Sequence, residues 1–320
     1  MYKYHSIEQF RNCIKDVQFA YKEQALPVLK FTGSVKIHGT NAGVELPKNI
    51  PQSRNQVLTE NNTNMGFFGF HQERKSVFEE IYKLIGVNFP VIVYGEFAGK
   101  GIQQGVGISQ VDKAFYLFGI KIVTGKEDCE HYWIDISGIP SFPESNFYNL
   151  HSFKRYEVEI DFNNPQLIQN TLSELTLEVE LECPVAKEQG ISGIGEGIVW
   201  EHITTEGKLF AFKVKGEKHS SSKVKTLAQV DIEKLNTVSV FVESVCTLNR
   251  MEQGWFEIFT QQQKEPSMSD IGVFIKWVSQ DVHKEESDTL QANGLTMKDI
   301  GYLLTKKVKS YFLEKLDETI

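Results

Sequence analysis

The sequence predicts an α+β protein: antiparallel sheets with flanking helices over residues 1–225, followed by an all-helical domain over residues 226–320. Three observations carry this. From Val28 to Lys215, short apolar, β-branched and aromatic runs are punctuated by turn residues, which is the pattern of strands. Beyond Ser220-Ser221-Ser222 the apolar residues recur at helical spacing instead. With 320 residues the chain is long enough for two domains and a substantial core.

The elements follow in order. Ser6-Ile7-Glu8-Gln9 reads as a capping box, and Ile7, Phe10, Ile14 and Val17 then repeat as one helical face. Val28-Leu29-Lys30-Phe31 is strand-like and leads into a polar turn. A helix is expected from Arg74 to Ile85, with Val77, Ile81, Leu84 and Ile85 on one face, and another from Asn164 to Leu175. Strands are expected at Val91 to Glu96, Phe115 to Val123 and Tyr132 to Ile134. Gly197 to Trp200 and Lys208 to Lys215 flank Thr205-Glu206-Gly207, the connection of a hairpin. In the helical domain, Ile271, Phe274, Ile275, Val278 and Val282 form a stripe preceded by Pro266-Ser267. Ile300, Leu304, Val308, Phe312 and Leu316 form another, started by Thr296 with Asp299 three residues on.

Apolar residues make up 41% and charged residues 24%, ordinary for a soluble globular protein. No apolar run approaches the roughly 18 residues of a membrane span. The start, Met1 to Glu8, has no apolar core of a secretory signal. Cys13, Cys129, Cys183 and Cys246 stand singly, without zinc or disulfide spacing, so buried or half-buried thiols in a reducing, cytoplasmic compartment are expected. The net charge of −8 does not announce a nucleic-acid partner. Locally, however, Lys208, Lys213, Lys215, Lys218, His219, Lys223 and Lys225 are opposed only by Glu217. Acidic residues gather elsewhere, at Glu174, Glu178, Glu180 and Glu182. The basic run would hold a polyanion, or equally be a solvated loop.

The chemistry concentrates in Lys36-Ile37-His38-Gly39-Thr40-Asn41. A lysine attacks only as the free amine, which requires nearby positive charge or desolvation. Gly39 allows a tight turn or the close approach of a ligand. Downstream, in order, come Tyr94-Gly95-Glu96-Phe97 with Gly101-Ile102-Gln103-Gln104-Gly105-Val106-Gly107, the aromatic strand around Phe118, Glu196-Gly197-Ile198-Val199-Trp200, and Lys213-Val214-Lys215. Lys213 and Lys215 alternate on a strand, so both ammonium groups point to one face.

This order resembles motifs I, III, IIIa, IV and V of the covalent nucleotidyltransferases, and the histidine in the first motif resembles an RNA ligase. Lys-Ile-His-Gly-Thr-Asn and Gly-Ile-Gln-Gln-Gly-Val are similar to the RNA ligase 2 family in particular. The resemblance covers about residues 1 to 225 and implies an ATP-grasp-like ligase adenylation domain; the helical domain would position RNA. It implies that Lys36 attacks the α-phosphate of ATP to hold AMP, that AMP passes to an RNA 5′-phosphate, and that a 3′-hydroxyl displaces it. Lys213 and Lys215 would neutralise the α-phosphate and activate Lys36, while His38 and Asn41 would touch phosphate or orient the RNA end. For His38 the other reading is a hydrogen bond within the turn. Glu96 would accept from the ribose, Phe118 would stack on adenine and Arg54 would lie near the nucleotide. Glu196 would help hold Mg²⁺ or Mn²⁺, hard ions suited to carboxylate and phosphate oxygen. Taken singly, these residues read as surface carboxylates, a core phenylalanine and a loop arginine.

Two positions depart from the family. Gly119 follows Phe118 where an acidic residue is usual, and Val35 precedes Lys36 where glutamate is frequent. At position 35 only a backbone carbonyl is left to meet the adenine amine. The expected function is an ATP-dependent RNA ligase acting as a monomer on RNA with 3′-hydroxyl and 5′-phosphate ends, sealing nicks in a duplex, with no membrane partner. The alternatives are a GTP-dependent capping-type guanylyltransferase, disfavoured by His38 and by helix in place of a downstream barrel, and an inactive RNA-binding relative. Lys298, Lys306, Lys307, Lys309 and Lys315 are candidate phosphate contacts, or the solvated face of an amphipathic helix.

Overall fold

The computed structural model describes residues 1–125, 131–219 and 238–318. The chain divides into two compact units, Met1–Gly216 and Glu217–Ile320. The junction expected near residue 225 lies outside the described residues.

Two sheets build the first unit. In one, the order is β1 (Glu8–Gln9), β11 (Leu209–Lys215), β10 (Gly197–Ile203), β2 (Val28–Val35) and β9 (Tyr156–Asp161). All its pairings are antiparallel except β1 with β11. In the other the order is β4 (Ile50–Ser53), β3 (Thr40–Leu46), β5 (Val91–Ala98), β6 (Ala114–Val123) and β7 (His131–Ile134), with β8 (Phe147–Asn149) parallel to β6.

Strand alternation decides which face of each sheet is apolar core and which is left for chemistry. On the first sheet Phe31, Trp200 and Phe212 share one face with Phe10 of helix α1 (Phe10–Ala20); the Phe10 and Phe212 ring centroids lie 4.7 Å apart. Gly33 must be glycine there, because a Cβ would sit 2.8 Å from the Trp200 ring. The opposite face carries Lys213 and Lys215. On the second sheet Ala42, Val44, Val93, Phe97, Phe115 and Leu117 pack against helices α2 (Phe67–Glu73) and α3 (Lys75–Ile85). The other face is left with Asn41, Tyr94, Glu96 and Phe118. Both sheets contribute to a cavity lined by Phe118, Gly119 and Trp133 on one side and Glu201, Ile203 and Leu209 on the other.

Several expectations are corrected. Glu8 and Gln9 pair with Phe212 and Lys213 instead of opening a helix, so α1 begins at Phe10 and has no side-chain cap. Phe10, Ile14 and Val17 are buried, as their spacing requires. On α3, Phe78 rather than Leu84 completes the buried stripe with Val77 and Ile81; Leu84 is 53% exposed. The third helix runs later than expected. Pro165–Ile168 forms a 3-10 turn, and α4 spans Gln169–Leu181 ahead of the short α5 (Pro184–Glu188).

The second unit is helical: α6 (Val238–Val245), α7 (Leu248–Trp255), α8 (Ile271–Ala292) and α9 (Met297–Asp317). Thr296 and Asp299 form a reciprocal capping box at α9, and Ser267 with Asp270 does the same before α8. Ile300, Leu304, Val308, Phe312 and Leu316 are all buried, with Phe274, Val278 and Val282 from α8. Arg250 is fully buried and is held by Asp281 at 2.7 Å and Glu286 at 3.3 Å. Lys307 meets Glu243 and Lys315 meets Glu318, so neither belongs to an unopposed basic face. Cys13, Cys183 and Cys246 are buried free thiols, and Cys129 lies outside the described residues. Among the described residues no helix is long and apolar enough to cross a membrane.

Candidate active site

Lys36 stands just past the end of β2, where its backbone N–H still bonds to the Gly197 carbonyl at 2.9 Å. That extension of the β2–β10 ladder brings the lysine beside Glu196. Lys36 Nζ donates to Glu196 Oε2 at 2.6 Å, and His38 Nδ1 lies 3.1 Å from the same oxygen. Lys215 Nζ reaches the other oxygen, Oε1, at 3.0 Å. His38 thus reaches across to Glu196, the residue before β10. The Glu196 side chain is only 2% exposed. Burial alone would push its carboxyl up, but Lys36, Lys215 and His38 together hold it well below the usual carboxylate range.

Gly39 makes the turn compact. A Cβ at this position would lie 2.4 Å from the Phe97 carbonyl oxygen, so only glycine allows β3 and β5 to close here. Its N–H donates to Glu96 Oε1 at 3.2 Å. Glu96 sits opposite Asn41 in the β3–β5 register. Burial pushes the Glu96 carboxyl up to about 7, against the pull of Lys36 and Arg54, with Glu196 adding to the rise. Arg54 follows β4, and its buried Nε has no hydrogen-bond partner among the described residues.

Lys213 lies opposite Val199, and Lys215 opposite Gly197, on one face of β11. Phe118 is half-buried, with its ring centroid 4.7 Å from that of Tyr4. Beside it, the space a side chain at Gly119 would enter is taken by the Trp133 ring, 3.1 Å from the position of a Cβ. Val35 is 2% exposed and pairs with Ile198 in the sheet.

The structure therefore brings Lys36, His38, Glu196 and Lys215 into one contact network. Glu96 and Arg54 stand at its edge, Lys213 shares the β11 face of Lys215, and Phe118 is half-buried against Tyr4. Sequence reasoning missed two residues here. Glu201 lies on the same face of β10 as Val199; burial pushes its carboxyl up to about 7, beside the Tyr4 hydroxyl that draws it down. Strand alternation after Gly197 would have shown it. Asn64, which clasps the lysine turn, carries only a turn signal in Asn62-Thr63-Asn64.

The family model for RNA ligase matches residues 29–215. The chain belongs to the RNA ligase family. The matched span opens on β2 and ends on Lys215, so it contains every residue of the network; the helical unit lies beyond it. No curated protein matches the chain. Solved structures of an RNA ligase from Naegleria gruberi are similar. The complex with pyrophosphate has a TM-score of 0.44 and 19% identity, covering 68% of this chain and 56% of that one. A mutant with AMP and Mn gives 0.44 and 17%, and another with ATP and Mn gives 0.44 and 19%, each with the same coverage. The chain thus spans little more than half the length of the Naegleria ligase.

Proposed function

We propose that the protein is an ATP-dependent RNA ligase that joins 3′-hydroxyl and 5′-phosphate ends, through a lysyl-AMP intermediate and an AMP-capped RNA end, at nicks in duplex RNA. The observation that carries this reading is the convergence of Lys36, His38 and Lys215 on the buried carboxylate of Glu196. In the first step Lys36 Nζ leaves Glu196, gives up a proton to water and attacks the α-phosphorus in line. An N–P bond forms, the bond from phosphorus to the bridging oxygen breaks, and pyrophosphate departs with the electron pair. Lys215 and Lys213 neutralise charge on the phosphate as it reacts, so positioning and electrostatics supply most of the acceleration.

The nucleotide fits the residues present. The orphaned buried Nε of Arg54 beside Glu96 is a donor awaiting an acceptor, which a phosphate or ribose oxygen would be. Glu96 accepts from the ribose, Phe118 faces the base, and the Val35 carbonyl and Asn41 complete the surround. Among the described residues there is no group of three or more His, Cys, Asp or Glu able to hold a metal. A Mg²⁺ or Mn²⁺ ion would rest on Glu196 together with phosphate oxygens and water, a donor set suited to Mg²⁺. When bound it supplies further charge neutralisation at the phosphates. The helical unit, residues 226–320 in the reading from sequence, positions RNA, and the protein works as a cytoplasmic monomer.

Incubation with labelled ATP and Mg²⁺ tests the reading: a covalent AMP–protein adduct is expected, and Lys36→Ala abolishes it. A folded wild-type protein that stays unlabelled overturns the proposal; labelling by GTP instead would identify a capping-type guanylyltransferase. RNA binding without any adduct would identify an inactive relative. Nicked duplex compared with single-stranded substrates then distinguishes the form of RNA joined.

A further inference from the structure

The turn that carries Lys36 is held from outside by a residue of another loop. Thr40 Oγ1 donates to Asn64 Oδ1 at 2.9 Å, and Asn64 Nδ2 donates to the Asn41 carbonyl at 3.1 Å. One side-chain amide therefore grips two consecutive residues of the Lys36-Ile37-His38-Gly39-Thr40-Asn41 run. Asn64 is 2% exposed, and its bond with Thr40 is buried away from competing water. Its backbone is committed as well. Asn64, Met65 and Gly66 have φ of 48°, 60° and 98°, three left-handed residues in succession. A non-glycine side chain there is disfavoured, asparagine least of all, and a run of three persists only where surrounding contacts enforce it. The Asn64 carbonyl takes the N–H of Phe67, and Lys113 Nζ holds the Met65 carbonyl at 2.9 Å.

Few side chains meet these demands together. The position needs a short group that tolerates positive φ, accepts from a hydroxyl and donates to a carbonyl, and asparagine supplies all three. Aspartate keeps the first two and loses the donor. Alanine loses both bonds and leaves the Asn41 carbonyl without this partner.

We propose that Asn64 is a positioning residue for the nucleophile turn, acting through Thr40 and Asn41. The inference rests on the ligase reading of the site. The consequence runs back along the turn: the Thr40–Asn41 backbone fixes where the Gly39 N–H meets Glu96 and where His38 meets Glu196. Loss of the grip lets the turn drift against β5, and in-line attack is sensitive to displacements of about 1 Å.

The test follows adduct formation in single turnover, with labelled ATP and Mg²⁺, over a range of ATP concentrations. In Asn64→Ala the maximal rate falls by about 10- to 100-fold, while the half-saturating ATP concentration moves by less than about threefold. Asn64→Asp, with the Thr40 bond retained, falls between alanine and wild type. Thr40→Val slows the step as well, and combining it with Asn64→Ala costs less than the product of the two effects, because both remove the same bond. If Asn64→Ala keeps the wild-type rate within twofold, Asn64 is merely structural and the proposal falls. Should Asn64→Ala fail to fold, Asn64→Asp and Thr40→Val carry the same expectation, and wild-type rates in both overturn it. A wild-type protein that forms no adduct overturns the ligase reading itself and this inference with it.

Discussion

Lys36 Nζ and Glu196 Oε2 lie 2.6 Å apart although 160 residues separate them in the chain. The pairing of Val35 with Ile198 creates this contact, since it aligns the last residues of β2 with the first of β10. Lys215 enters from the next strand, where it is paired with Gly197. A carboxylate so placed does two things. It gives two lysines a common counter-charge in a site where water screens poorly, and it holds the nucleophile at a defined place before the nucleotide arrives.

Removing that counter-charge should damage both stability and chemistry. Glu196→Ala takes from Lys36 and Lys215 the carboxylate they share, with side chains 22% and 15% exposed. The expected outcome is a loss of about 1–3 kcal/mol in urea unfolding, because charged groups are left partly buried and unpaired. Adduct formation should drop by about 100-fold or more. Wild-type labelling by Glu196→Ala would sink the assignment of this carboxylate to the site.

The pH dependence of stability separates the carboxylates by sign. Glu96 and Glu201 are both raised to about 7 in the fold, burial being the first cause in each, against 4.5 for an ordinary glutamate. Between these values the folded chain keeps protons that the unfolded chain has released, so these two groups lower stability as pH rises from about 4.5 to about 7. The double variant Glu96→Gln/Glu201→Gln should gain about 1–3 kcal/mol over wild type at pH 8 and nearly nothing at pH 4. Glu196 runs the other way: its depressed value contributes stability above about 4.5 that is lost on further acidification. Chemical denaturation at several pH values checks all three, and a double variant indistinguishable from wild type at pH 8 contradicts the buried environment described for both groups.

Gly39→Ala tests the closeness of the turn to β5. Its new methyl would stand 2.4 Å from the Phe97 carbonyl, a backbone atom that cannot yield without parting Thr40 from Phe97 in the register. Overpacking of this kind costs about 1–3 kcal/mol, and labelling with ATP should be largely lost because the Gly39–Glu96 bond moves too. Thermal unfolding beside the adduct assay reads both effects; an alanine variant as stable and as active as wild type would show that the turn has slack.

In the helical unit Arg250 is the keystone. It is fully buried against Asp281 and Glu286 and also donates to the Val245 carbonyl. Arg250→Met alone should cost about 3–5 kcal/mol by stranding the acidic partners, whereas Arg250→Met/Asp281→Leu/Glu286→Met should recover most of that loss. Calorimetry of the full chain distinguishes the two outcomes, and equal melting of Arg250→Met and wild type would contradict the burial.

Much of this was legible because it is written in neighbouring residues. The spacing of Ile300, Leu304, Val308, Phe312 and Leu316 specifies one face of a helix wherever it lies, and Thr296 with Asp299 caps that helix locally. The alternation in Lys213-Val214-Lys215 puts both lysines on one side of any strand. The lysine motif and its downstream companions announced the RNA ligase family, whose model spans residues 29–215. Where local and tertiary signals competed, the tertiary one won: Glu8 and Gln9 carry a capping pattern, yet an open edge of β11 takes their backbone.

The sequence by itself determined many of the elements, the family and the residue types on offer, since periodicity, capping and motif order depend on short stretches of chain. Only the tertiary structure decided that one carboxylate, Glu196, takes its two oxygens to Lys36 with His38 and to Lys215, that the Gly39 N–H meets Glu96, and that Asn64 clasps Thr40 and Asn41. Such contacts follow from strand register and from the approach of distant loops. A shift of one residue in either would turn each side chain to the opposite face, and no local pattern encodes it.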